Sequence, residues 1–135
     1  MRLVSYLENS KPRFGAIVGD HVVDMARASA AYAKTDSLIS TIPSRIEEFL
    51  EDLDSLMPSA RAVVSRFQKD GADDNSLARK LGDVKLLPPI GRPPKVICVA
   101  RNYAEHAREM GDDPDRAPPF FFQKNPDDLV VVPEG

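Results

Sequence analysis

Lys95-Val-Ile-Cys-Val-Ala-Arg-Asn-Tyr-Ala-Glu-His-Ala-Arg-Glu-Met-Gly111 is the stretch on which the reading of this chain turns. Its first part, Lys95 to Ala100, is a short apolar run and predicts a buried strand. In the second part Asn102 can cap a helix, Glu105 lies three residues on to complete a capping box, and Gly111 suits a left-handed stop. The pattern predicts a helix of about two turns, Tyr103 to Met110, leaving the strand end directly. Rigid elements meeting at such a junction present side chains well. Here they carry His106 and Glu109, three apart and therefore on one helix face. A carboxylate beside an imidazole orients it and raises its basicity, as a general base acting on water requires. On spacing alone, the same pair is equally a solvated helix pair worth roughly 0.2–0.5 kcal/mol.

Beyond Gly111 the acidic turn Asp112, Asp113 and Asp115 around Pro114 is either solvated or a place for a cation. Nine of the twelve prolines lie between Pro88 and Pro133, which predicts rigid loops joining short strands, since proline fixes φ and donates no hydrogen bond. Cys98 is the single cysteine, so no internal disulfide forms, and its place in Val96-Ile-Cys-Val99 reads as a buried strand thiol.

Working toward the start, Asp70 to Ser76 is polar and contains Gly71, which marks a loop or boundary. Before it the pattern is helical. Ser44 and Glu47 have capping-box spacing, and Ile46, Phe49, Leu50, Leu53 and Met57 recur on one side. Pro58 is expected to break that helix and open a second one carrying Ala60, Val63, Val64 and Phe67. These stripes read as core. The first block reads as strands: Leu3 to Leu7 and Arg13 to Val18 flank a polar turn carrying Pro12, and Gly19-Asp20 leads into His21 to Asp24 as a tight hairpin. Asp24 is positioned to cap an Ala-rich helix through Ala33. His21, with no acidic partner fixed by local pattern, reads as a structural histidine.

The chain has 135 residues, a net charge of −3 and interspersed charges. Without a Lys/Arg cluster, nucleic acid is not an expected partner. No apolar run approaches the roughly 20 residues of a membrane span, and no secretion signal opens the chain, so the expected location is cytoplasmic, with no membrane partner.

Three motif elements occur in order: Leu86-Leu-Pro-Pro-Ile-Gly-Arg-Pro-Pro-Lys-Val-Ile-Cys-Val-Ala-Arg-Asn-Tyr103, then His106-x-x-Glu109-x-Gly111, then Pro118-Pro-Phe-Phe-Phe-Gln-Lys124. Together they resemble the entry to the catalytic domain of the fumarylacetoacetate hydrolase family. Arg2 to Tyr6, Arg13-Phe-Gly15 and Val22-Val-Asp24 resemble the small N-terminal domain of its bacterial members. The resemblance implies an α+β architecture: a small N-terminal strand/helix domain over 1–75, then a linker and the first part of a mixed β-roll over 76–135. It also implies an enzyme acting on C–C bonds of small oxo acids such as acylpyruvates, in the manner of aromatic-compound catabolism. His106 and Glu109 would then be catalytic with Lys124, and Arg101, Asn102 and Tyr103 would bind substrate. Mg2+ or Mn2+ would serve as cofactor, held by a Glu-x-Glu pair and an Asp that the family places after the Lys, hence beyond Gly135. Ala100 departs from the glycine that usually precedes Arg-Asn-Tyr. The expectation is therefore an N-terminal portion of a homodimeric hydrolase or isomerase, inactive by itself. The alternatives are a non-catalytic interaction or assembly module with exposed strand edges, and a stand-alone metal binder built on His106, Glu109 and the acidic turn.

Overall fold

The computed structural model describes residues 1–70, 76–91, 93–100, 108, 111 and 120–125. The chain divides into two units, one spanning Met1–Gly91 and the other containing two strands farther on. The first unit opens with β1 (Arg2–Glu8) and β2 (Lys11–Val18), antiparallel, with Glu8 opposite Lys11. Asn9 and Ser10 between them both have positive φ, 49° and 61°, the backbone of a turn whose twist matches the strands. Pro12, expected in the turn, lies inside β2 instead, tolerated there because β3 (His21–Asp24) reaches only Gly15 to Val18. Gly19, at φ 60°, makes the two-residue turn into β3. Gly15 is fixed by crowding: a Cβ there would lie 2.6 Å from Val22 Cγ1 and 2.9 Å from the Val23 carbonyl.

Asp24 ends β3 and caps α1 (Met25–Tyr32), accepting the Arg27 backbone N–H at 2.9 Å, as the sequence predicts. The next helices depart from expectation. Ser44 and Glu47 form no capping box: Arg45 is the N-cap of α2 (Ile46–Glu51), without a side-chain cap. The break falls at Asp52, not at Pro58, which lies inside α3 (Leu53–Asp70). Of the expected stripe, Ile46 and Phe49 are buried and Leu50 is exposed, while Leu53 and Met57, both half-buried, belong to α3 beyond the break at Asp52. Ala60, Val63 and Phe67 of α3 are buried as expected.

The first unit continues past the polar loop near residue 75. β4 (Ala78–Lys80) pairs with β3, and β5 (Lys85–Leu87) returns to β1, giving the order β4-β3-β2-β1-β5. Three-residue strands are too short for an alternation pattern to register. A 3₁₀ turn, Leu81–Asp83, joins them, and the Leu81 N–H donates to the Asp20 carbonyl at 2.8 Å.

The core joins Phe14, Ala16 and Val23 of the sheet to Met25, Ala28, Phe49, Ala60, Val63 and Phe67 of the helices. The Phe14 and Phe49 rings lie 4.9 Å apart at 37°. Burying each such side chain is worth about 1.5–3 kcal/mol. Two buried serines satisfy the irregular segment before α2: Ser29 Oγ accepts the Ile42 N–H, and Ser59 Oγ accepts the Ser40 N–H, each at 2.9 Å. Among the described residues no buried side-chain polar atom lacks a partner.

The second unit contains β6 (Val96–Ala100) and β7 (Phe120–Lys124), paired antiparallel from Val96 opposite Lys124 to Ala100 opposite Phe120. The sequence expectation of a buried strand is corrected here. β6 alternates half-buried and exposed positions, Cys98 is half-buried, and Ile97 is 61% exposed. Every residue of β7 is exposed. Among the described residues no further strand pairs with this ribbon.

Candidate functional site

Of the expected site residues, Lys124 is described; Arg101, Asn102, Tyr103, His106 and Glu109 lie outside the described residues, as does the acidic turn at 112–115. Lys124 closes β7, exposed, directly opposite Val96. Directly paired residues share a face, so Lys124 stands on the side carrying Val96, Cys98, Ala100, Phe122 and Phe120. Phe120 and Phe122 stack on that face with ring centroids 6.4 Å apart.

The register has a geometric consequence that spacing in the sequence does not show. The chain leaves β6 toward Arg101 at Ala100, opposite Phe120, whereas Lys124 is opposite Val96 at the other end. Four residues of strand separate the two positions by about 13 Å. An amine on a four-carbon stem does not cover that distance.

The first unit holds a charged network that sequence reading found only in part. Asp24, buried, accepts from the Tyr6 hydroxyl at 2.7 Å and from Arg13 Nε at 2.9 Å and Nη2 at 2.7–2.8 Å, besides capping α1. Burial, and then the Asp24 carboxylate, push the Tyr6 phenol well above its usual range, so it remains a donor. Glu8 takes both Nη atoms of Arg27, at 2.8 and 2.6 Å, and Arg79 at 3.3 Å. The hydrogen bonds from Arg27 hold the Glu8 carboxyl below the usual carboxylate range, against the opposing effect of burial. Burial also pushes the Glu47 carboxyl up, but backbone N–H groups of Glu47 and Gly91, with Arg45, more than offset it. The pattern signal for Asp24 was its cap position; Tyr6 and Arg13 arrive from two other strands and left no local trace. These satisfied pairs fix β1, β2 and α1 against one another. They present no nucleophile beside a base.

His21, expected to have no acidic partner fixed locally, pairs with the neighbouring exposed Asp20, Nδ1 to Oδ1 at 2.6 Å. Among the described residues no group of three His, Cys, Asp or Glu side chains could hold a metal ion. None of the described helices is long and apolar enough to cross a membrane.

No family model matches the chain. Individual proteins do. The chain is 31% identical to oxaloacetate tautomerase YisK of Bacillus subtilis, across 83% of this chain and 37% of that protein. It is 27% identical to a mitochondrial oxaloacetate tautomerase of Xenopus laevis, across 99% of this chain and 39% of the relative. An uncharacterized protein of Staphylococcus aureus is 28% identical across 92% of this chain and 40% of its own length. The chain thus spans about two fifths of the length of the curated relatives it matches.

Proposed function

From the premise that this chain is related to the fumarylacetoacetate hydrolase family over most of its length, we propose that it is the N-terminal portion of an enzyme acting on small oxo acids. The observation that carries this is the match to two oxaloacetate tautomerases, one of them over 99% of this chain. Among the activities open to the family, those relatives favour isomerisation between keto and enol forms over hydrolysis.

In this proposal His106, oriented by Glu109, takes a proton from the carbon beside the oxo group. Lys124 sets its positive charge against the enolate oxygen that develops, and that oxygen then receives the proton that His106 took from carbon, which leaves the base neutral again. Arg101, Asn102 and Tyr103 hold a substrate carboxylate. Along the β6–β7 ribbon Lys124 stands about 13 Å from the end of β6. Among the described residues no group could hold a metal ion; by the family resemblance a Mg2+ or Mn2+ ion would be held by a Glu-x-Glu pair and an Asp placed after Lys124.

The test uses the protein at its native length. Ketonisation of oxaloacetate is followed by loss of enol absorbance in wild type and His106→Ala. The expected loss is at least about 100-fold, the usual worth of a positioned base. An unchanged rate with retained secondary structure refutes the assignment.

A second reading has its own observation. Ile97, Val99 and Phe121 are exposed on one face of the ribbon, and Phe120 and Phe122 on the other. A two-stranded sheet exposed this way is marginal alone and invites a partner. An assembly role predicts a stable oligomer of the 135-residue chain; sedimentation as a monomer removes it.

A further inference from the structure

The first unit carries a concave surface of about 660 Å3 where α3 passes the start of β1 and the end of β2. Its floor is Leu3, Ile17, Met57 and Val64, all half-buried, and Leu3, Met57 and Val64 pack directly on the core. On α3 the lining residues Met57, Arg61, Val64 and Gln68 recur at the four-three-four spacing of a single helix face. Arg2 and Arg61 flank this apolar floor, with Ser65 and Gln68 as neutral hydrogen-bonding groups, and no Asp or Glu lines it.

The two cations stand apart from the other arginines. Seven are described in the first unit, and five of them hold a carboxylate: Arg13 on Asp24, Arg27 and Arg79 on Glu8, Arg45 on Glu47, and Arg66 on Asp70. Among the described residues Arg2 and Arg61 have no such partner, and both line this one groove. A chain with 21 acidic against 18 basic side chains has carboxylates to spare for them. Guanidinium groups recognise carboxylates through paired donors. The volume falls within the range of roughly 300–1,000 Å3 usual for small-molecule sites.

We propose that this groove binds an amphipathic carboxylate, its acyl or aryl body on Leu3, Ile17, Met57 and Val64 and its carboxylate between Arg2 and Arg61. The site belongs to the first unit alone and does not depend on the activity proposed above.

The test is calorimetric titration of the full 135-residue chain with 4-phenylbutyrate, and with 4-phenylbutan-1-ol as the uncharged counterpart. The acid is expected to bind saturably and at least about tenfold more tightly than the alcohol. Arg2→Gln and Arg61→Gln, both exposed and folding-neutral by position, are each expected to weaken the acid about fivefold to tenfold. Arg45→Gln, outside the groove, is expected to leave it unchanged. Absence of saturable heat to ~10 mM overturns the proposal, because a Kd of ~1 mM would be visible there. So does equal binding of acid and alcohol, or an Arg45→Gln loss as large as that of Arg2→Gln.

Discussion

Replacing Asp24 with alanine removes three kinds of contact at once, and the structure allows each to be weighed. The paired hydrogen bonds to Arg13 disappear, leaving a guanidinium whose side chain is only 20% exposed. Removing one partner of a buried ion pair costs about 3–5 kcal/mol, and partial exposure of Arg13 puts this case near the lower end. The cap of α1 is lost, at about 1 kcal/mol. The buried Tyr6 hydroxyl loses its acceptor, worth about 1 kcal/mol more. The sum is about 5 kcal/mol, comparable with the whole stability of a small domain. Urea titration followed by far-UV circular dichroism suits a chain without tryptophan. With a slope of about 1.5 kcal/mol per molar urea, the midpoint should fall by about 3 M, or the unit should be unfolded in buffer. Asp24→Asn, which still caps, should be milder by about 1 kcal/mol. Adding Arg13→Met to Asp24→Ala should recover stability, since the unpaired cation goes with it. A loss below about 1 kcal/mol for Asp24→Ala, the worth of a surface pair, would refute this account.

Gly15→Ala should cost about 2–3 kcal/mol in the same titration, because the new methyl meets Val22 and backbone, whereas Gly82→Ala, with nothing within 4 Å, should stay within about 0.5 kcal/mol. Glu8 is held below its ordinary value of 4.5 in the folded state, so its contribution is present above that pH and is lost as pH falls below it. Glu8→Gln should therefore flatten the acid side of the stability profile. Tyr6 is shifted upward from 10.0, so its contribution is complete below pH 10 and declines above it. Tyr6→Phe should flatten the alkaline side, and an unaltered slope in either variant would contradict its assignment.

Much of the first unit was legible because its signals are local. The β1–β2 and β2–β3 turns, the Asp24 cap and the apolar face of α3 each depend on residues within a few positions of one another. Reading failed where the decision was not local. Pro58 looks like a helix opener by its ring, yet α3 runs through it, with Ala60, Val63 and Phe67 buried beyond it. Ser44 and Glu47 have capping-box spacing, but Glu47 is held by Arg45 and by the backbone of Gly91, far along the chain. In the candidate site, motif order supplied the residue types, while Lys124 was separated from the end of β6 by strand register, which spacing does not encode.

By itself, then, the sequence determined the identities that chemistry would use, the periodicity of helices and hairpins, and the kinship of the chain. Those are properties of residue type and short spacing. Only the tertiary structure decided that β4 and β5 form the two edges of the sheet, that Asp24 gathers Tyr6 and Arg13, and that Arg2 and Arg61 both line one groove. Each of these joins residues far apart in the chain, where what matters is which surfaces bury together and which charges are left facing each other.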